Sequence, residues 1–204
     1  MANEFEQLSE AMSSVVEQAA GSVVLVNGRR RMPASGVAYK PNMILTADHV
    51  VEVDEDVQVF LPDGQEVIAQ VAGRDASSDL ALLRLEEEVL TPAQAASSDP
   101  KVGELVLALG RPGMSGVQAS LGVISVVNGP ARTRRGGMLE AFIRTDALPL
   151  PGFSGGALVN ASGEVIGINT SGLAHGALLT IPMAQAAKIA DTLAEHGSIR
   201  RAFL

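Results

Sequence analysis

The amino-acid sequence predicts an all-β protein, a sandwich or barrel, with one helix at each end. Three observations predict it. Short β-branched runs recur through the middle of the 204-residue chain, punctuated by Gly, Pro, Asn and Asp. The gaps between them hold no helical pattern of about 10–15 residues, which a parallel βαβ architecture requires. Apolar residues spaced by three and four, the mark of an amphipathic helix, stand near the two ends.

In chain order, Leu8, Met12, Val15, Val16 and Ala19 place an apolar stripe on a helix over the first 20 residues, closed by Gly21. Strands are then expected at 22–26, 36–39, 43–45, 57–61, 66–71, 80–85, 105–109, 118–127, 140–144, 157–159, 164–169 and 177–181. Leu61-Pro-Asp-Gly-Gln and Asn160-Ala-Ser-Gly-Glu lie between paired runs and supply the glycine that a tight hairpin turn uses. After Pro182, which suits a first helical turn, Met183, Ala186, Ala187, Ile189, Ala190 and Leu193 form a stripe that runs up to Gly197. That predicts a C-terminal helix of about four turns.

Composition excludes several classes of function. The chain is 47% apolar and 3% aromatic, with no Cys, no Trp and three His. Without Cys there is no disulfide, thiolate zinc site, iron–sulfur cluster or cysteine nucleophile. A net charge of −8 has the wrong sign for a dedicated nucleic-acid binder. The basic runs at 29–31 and 132–135 lack interleaved aromatic residues and read as solvated turns. No uninterrupted apolar run reaches the roughly 18 residues of a transmembrane helix. The first residues are acidic, with no basic stretch followed by an apolar one, so the sequence by itself states no compartment.

The strongest local signal is Pro151-Gly-Phe-Ser-Gly-Gly-Ala157. A serine framed by glycines suits a tight turn whose backbone N–H groups face outward, as an oxyanion hole requires. The same segment satisfies the G-x-S-x-G pattern of an α/β-hydrolase elbow, with Asp191 and His196, or Glu164 and His175, as partners after the serine. That reading fails on context: Asp191 and His196 fall on the predicted C-terminal helix, and the crossover helices are missing. His196 reads as a residue interacting with the helix C-terminus, and His175 as an exposed loop residue. Two further segments place a polar residue at a strand mouth: Ile44-Leu-Thr-Ala-Asp-His49-Val-Val and Ser77-Ser-Asp79-Leu-Ala-Leu-Leu. With Ser154 they give the order His, Asp, Ser of chymotrypsin-like enzymes.

These blocks resemble the HtrA/Deg family of trypsin-like serine proteases. Its T-x-x-H-V, S-D-L-A and T-D-A…P-G-x-S-G-G-x-L-V-N motifs are matched by Thr46–Val50, Ser78–Ala81, Thr145–Ala147 and Pro151–Asn160. The intervals of 30 residues from His49 to Asp79 and 75 from Asp79 to Ser154 resemble the family's spacing. The resemblance implies two packed six-stranded antiparallel β-barrels, over 21–103 and 104–181. The first helix would occupy 1–20, and the last, with the start of a linker to a PDZ domain, 182–204. It implies a serine endopeptidase acting on unfolded or damaged proteins, with Ser154 as nucleophile, His49 as base and Asp79 orienting the imidazole. The oxyanion segment would be Gly152, Phe153 and Ser154, with the Gly152 and Ser154 N–H groups as donors. Ile168, Asn169 and Thr170 would lie on the strand that binds substrate backbone. Leu148, six residues before the nucleophile, would floor an apolar pocket with Leu150 and Leu173, favouring small aliphatic residues. The scheme calls for no cofactor and no metal. The family also implies a homotrimer, with the N-terminal helix as a contact, and a periplasmic or membrane-tethered location.

Two positions depart from the family pattern. Leu150 and Phe153 stand where the family usually has asparagines, which bears on the conformation of the nucleophile loop rather than on the reaction type. The competing expectation from another class is a peptide-binding, chaperone-like scaffold whose triad is held in a resting state by that loop.

Overall fold

The computed structural model describes residues 3–133, 137–173 and 178–198. Helix α1 (Glu4–Ala20) starts at a capping box: the Glu6 N–H donates to the Asn3 side chain, and the Asn3 N–H donates back to the Glu6 carboxylate. Strands β1 (Val23–Asn27), β2 (Ala34–Lys40), β3 (Met43–Ala47), β4 (Val57–Phe60), β5 (Glu66–Asp75) and β6 (Leu80–Arg84) close into an antiparallel barrel in the order β1-β2-β3-β6-β5-β4. Strands β7 (Leu105–Gly110) and β8 (Gln118–Asn128) open the second half. A two-stranded hairpin follows, β9 (Ala131–Arg132) with β10 (Met138–Leu139), and then β11 (Phe142–Thr145), β12 (Ala157–Asn160), β13 (Val165–Thr170) and β14 (Leu179–Pro182). The second barrel closes in the order β11-β14-β13-β12-β7-β8. Two six-stranded barrels with a helix at each end are the architecture expected above. The β9–β10 hairpin is an addition; strands of two residues are too short to show period-two patterning.

Both predicted glycine turns form, with Gly64 at φ +90 and Gly163 at φ +75, values that favour glycine. Each is closed by a backbone bond across the turn, Leu61 N–H to Gln65 O and Asn160 N–H to Glu164 O.

Why the strands read as continuous apolar runs is visible in the packing. Ile44 and Ala47 of β3, and Ala81 and Leu83 of β6, point into the first barrel with Val24, Val26, Val57 and Val59. Their alternate neighbours Leu45, Leu80 and Leu82 point out of that barrel, into a seam shared with Leu109, Ile168 and Ile181 of the second. Strands buried on both faces carry no polar alternation. The second barrel has its own interior around Val106, Ile124, Ile143 and Leu158.

Helix α2 (Met183–His196) lies over the seam, burying Met183, Ala186, Ile189, Ala190 and Leu193. Pro182 is its N-cap rather than its first helical residue, and Gly197 ends it in the left-handed conformation at φ +71. Helix α1 differs from expectation along its length. Val15 and Ala19 are buried, but Leu8 is 46% exposed and Phe5 is 79% exposed, because only the last turns of the helix rest on the barrels.

Candidate active site

The seam brings together residues that lie far apart in the chain. Strand β3 ends at Ala47, and a single 3-10 turn, Asp48–Val50, carries His49. Asp79 stands immediately before β6 in the left-handed conformation, at φ +58, and is fully buried. Its backbone carbonyl accepts the Asp48 N–H at 3.0 Å, which locks the two segments in register. One carboxylate oxygen, Oδ1, accepts the His49 backbone N–H at 3.0 Å; the other, Oδ2, pairs with His49 Nδ1 at 2.7 Å and also accepts the Thr170 hydroxyl. A carboxylate is acceptor-only, so Nδ1 is the donor of this pair, and in a neutral imidazole so bonded Nε2 is the acceptor. A buried carboxylate is expensive unless it is hydrogen-bonded, and these donors supply that need.

Ser154, 7% exposed, sits in the turn that leads into β12. Gly152 at φ +81 and Gly155 at φ +84 give this turn its shape. A Cβ on Gly155 would run into the Ser35 carbonyl and the Thr46 hydroxyl of the first barrel, so the turn is seated directly on β2 and β3. The loop is fixed by Phe153 N–H to Leu150 O, Gly155 N–H to Asn169 O and Gly156 N–H to Phe153 O. Among the described residues the N–H groups of Gly152 and Ser154 meet no protein acceptor, as an oxyanion hole requires. Phe153, included in the expected oxyanion segment, offers no donor because Leu150 takes its N–H. Its ring is 1% exposed and packs in the second barrel's interior beside Gly110.

In this conformation the Ser154 hydroxyl pairs with the Ser171 hydroxyl at 2.9 Å and accepts the Ser171 N–H at 3.4 Å. No hydrogen bond joins it to His49 among the described residues.

The expected substrate-contacting residues divide. Ile168, Asn169 and Thr170 are fully buried. Ile168 fills the seam, the Asn169 amide donates to Ala157 O at 2.7 Å and accepts from Thr180, and Thr170 serves Asp79. Their side chains therefore support the site from behind. The three leucines share no pocket: Leu173 packs in the seam, Leu150 against the second barrel's interior, and Leu148 is 62% exposed. The neighbouring Ala147, at 3% exposed, is the buried residue of that segment. His175 lies outside the described residues, and His196 is exposed on α2 beside Glu195.

Sequence reasoning missed three residues at this site. Gly172 lies so close over the His49–Asp79 pair that a Cβ there would come within 2.7 Å of His49 Nδ1. Ser171 pairs with the Ser154 hydroxyl. Ser35 grips the nucleophile loop from the first barrel. None sits in a motif, and only the register between the barrels reveals them.

Two antiparallel barrels with a His–Asp pair on a buried carboxylate and a glycine-framed serine at their seam define the trypsin-like class of serine peptidase domain. Comparison with known proteins agrees. Residues 34–168 match the trypsin-like peptidase domain family. The chain is 39% identical over 168 residues to a probable periplasmic serine protease, do/HhoA-like, of Haemophilus influenzae, covering 79% of this chain and 36% of that protein. It is 38% identical over 168 residues to the periplasmic pH-dependent serine endoprotease DegQ of Escherichia coli, with the same shares covered. Among solved structures it superposes on a serine endoprotease from Yersinia pestis with TM-score 0.76 and 33% identity, covering 97% of this chain and 69% of that one. An HtrA-type protease, AlgW with decapeptide, gives TM-score 0.78 and 30% identity, covering 94% and 70%. The chain belongs to the trypsin-like peptidase family, in its HtrA/Deg branch. It spans about a third of the length of the curated relatives it matches.

Proposed function

We propose that this chain is the catalytic domain of a serine endopeptidase that hydrolyses peptide bonds of unfolded or damaged proteins. The observation that carries the reading is the His49 Nδ1–Asp79 Oδ2 pair at 2.7 Å, its carboxylate buried, beside a serine in a frame of outward N–H groups. The Ser154 hydroxyl turns from Ser171 to His49 and attacks the scissile carbonyl carbon, while His49 Nε2 takes its proton. Asp79 holds the imidazole and stabilises the imidazolium. The oxyanion is held by the Gly152 and Ser154 N–H groups; one such donor is worth about 3 kcal/mol of barrier. His49 returns the proton to the departing amine, which leaves an ester on Ser154. Water, deprotonated by His49, then cleaves that ester. We assign substrate preference to small aliphatic residues, on the apolar Leu148 six residues before Ser154.

The chain acts as part of a longer protein that carries a PDZ domain and assembles as a homotrimer, in the periplasm or tethered to a membrane. The relatives named periplasmic support the location. The uncovered apolar surface of Phe5, Leu8, Val102, Leu105 and Leu121 supports self-association.

The test is labelling with a fluorophosphonate and degradation of casein, with Ser154→Ala as control. Wild type is expected to label and to degrade, and the variant to do neither. A wild-type chain that binds peptide but neither cleaves nor labels would overturn the reading in favour of a peptide-binding scaffold.

A further inference from the structure

Resting on the peptidase reading, we propose that Ser35 is a positioning residue for the oxyanion hole, acting on the nucleophile loop from the opposite barrel. Ser35 is the second residue of β2 and is fully buried. Its hydroxyl donates to the Gly152 carbonyl at 2.7 Å, and its backbone N–H donates to the Ser154 carbonyl at 3.1 Å. One residue of the first barrel thus holds the carbonyls of both residues whose N–H groups face the reacting carbonyl.

The arrangement fixes two peptide planes. The Gly152–Phe153 peptide has its C=O held by the Ser35 hydroxyl and its N–H held by Leu150 O. The Ser154–Gly155 peptide has its C=O held by the Ser35 N–H and its N–H by Asn169 O. The intervening Ser154 N–H is oriented by what happens on either side of it. The first plane depends most on Ser35. Gly152, at φ +81, has no Cβ to oppose rotation, so the plane relies on the Leu150 carbonyl within the loop and on the Ser35 hydroxyl outside it.

The hydroxyl itself has no freedom. It accepts the Arg111 N–H at 2.8 Å, which leaves its hydrogen for Gly152 O. Arg111 is buried and anchored: Nε donates to Val23 O at 2.7 Å and Nη2 to Ala20 O at 3.2 Å, the end of α1. The Ser35 carbonyl is in turn held by the Thr46 hydroxyl at 2.7 Å. A serine with every hydrogen-bonding group committed, two of them to the nucleophile loop, is a fixture of that loop's geometry rather than a strand residue that happens to be polar.

Ser35→Ala removes the hold on Gly152 O and leaves both that carbonyl and the Arg111 N–H without a partner. The test measures kcat and KM separately on a peptide substrate, together with inhibition by a peptidyl boronic acid, whose tetrahedral adduct uses the oxyanion hole. Wild type is assayed first: if it neither cleaves nor labels, the peptidase reading fails and not this one. With wild type active, the expected result for Ser35→Ala is a fall in kcat of about 10- to 100-fold, with KM within about twofold and boronate affinity falling in parallel. Activity within twofold of wild type overturns the proposal. So does a loss carried by KM, or one that follows the folded fraction measured by near-ultraviolet circular dichroism. Should Ser35→Ala not fold, Ser35→Cys carries the same test, because the thiol fills the space and donates weakly. The same kcat-selective loss is expected there, and a wild-type kcat overturns the proposal.

Discussion

Substituting Gly172 by alanine tests whether the His49–Asp79 pair is held as the structure shows. The Gly172 backbone lies outside the left-handed region, so alanine can adopt it, and any effect comes from what the new methyl meets. That methyl would stand 2.7 Å from His49 Nδ1, 2.9 Å from Asp79 Cγ and closer still to Oδ2. Real Cβ contacts essentially never fall below 3.0 Å, and ordinary contact begins at 3.4 Å, so roughly 1.0 Å must be found against Asp79 Oδ2 and roughly 0.7 Å against His49 Nδ1. Asp79, buried and bonded to the Thr170 hydroxyl and the His49 N–H, cannot relieve both contacts, so the methyl wedges between its carboxylate and the imidazole. The imidazole, with its side chain 19% exposed, has room to swing. Moving it by that amount stretches a 2.7 Å bond beyond the usual hydrogen-bond range. Misplacing a catalytic group by about 1 Å costs about 10²-fold, or about 2.7 kcal/mol of barrier, and abolishing the orienting carboxylate in the trypsin template costs about 10⁴. Gly172→Ala is therefore expected to lower kcat/KM about 10²-fold, with fluorophosphonate labelling slowed in parallel and the melting temperature little changed. A variant that keeps half the wild-type kcat/KM while remaining folded refutes the reasoning.

Ser171→Ala removes the partner of the Ser154 hydroxyl at 2.9 Å. One such bond is worth about 0.5–1.5 kcal/mol net, so the hydroxyl is released toward His49 and labelling is expected to speed up about 2- to 10-fold; a slower rate counts against a parked nucleophile. Phe153→Ala empties a fully buried ring position, with an expected loss of about 3–5 kcal/mol and a drop of roughly 6–20 °C in melting temperature by calorimetry. A drop below about 3 °C would contradict the anchoring role. At the surface, Lys40 Nζ donates to Asp191 at 2.8 Å, which holds the Asp191 carboxyl below the usual carboxylate range and raises Lys40. The depressed acid contributes above its unfolded pKa and loses that contribution as pH falls below about 4; the raised lysine contributes until pH climbs past about 10. Both side chains are about half exposed, so Asp191→Asn is expected to cost less than about 1 kcal/mol at pH 7, and nothing in acid, by chemical denaturation.

How far the sequence reached depends on which physical signal each feature leaves. Barrel strands were legible because turn residues punctuate them, and α2 because its buried stripe is a local periodicity. His49, Asp79 and Ser154 were legible because each carries its chemistry in its own type and is flanked by a motif. Leu148 lies in the irregular segment after β11, where no periodicity distinguishes an exposed position from the buried one that Ala147 takes. Ile168, Asn169 and Thr170 were picked out for the backbone of their strand; that their side chains are buried at the seam of two barrels left no local signal. Gly172, Ser171 and Ser35 left no local signal, since each acts through space on a residue from another segment.

Those three residues also show where the site's precision comes from. The loop around Ser154 belongs to the second barrel, but Gly155 has no room for a side chain because the first barrel's Ser35 carbonyl and Thr46 hydroxyl lie against it. Gly152 is similarly confined by Pro33 O of the first barrel and Pro112 of the second. His49 and Asp79 come from the first barrel, while the Thr170 hydroxyl that completes the Asp79 carboxylate comes from the second. Neither barrel therefore holds a complete half-site; each closes the geometry of the other's residues. The docking of the barrels, through Leu45, Leu80 and Leu82 against Leu109, Ile168 and Ile181, is the step that sets the reacting geometry. A change that loosens this seam by a fraction of an ångström leaves twelve barrel strands paired and most of the buried area intact. It also moves Ser154, His49 and the Gly152 and Ser154 N–H groups relative to one another, the quantity on which rate depends most steeply in the mechanism proposed above. Activity should therefore be lost well before stability when the seam is perturbed.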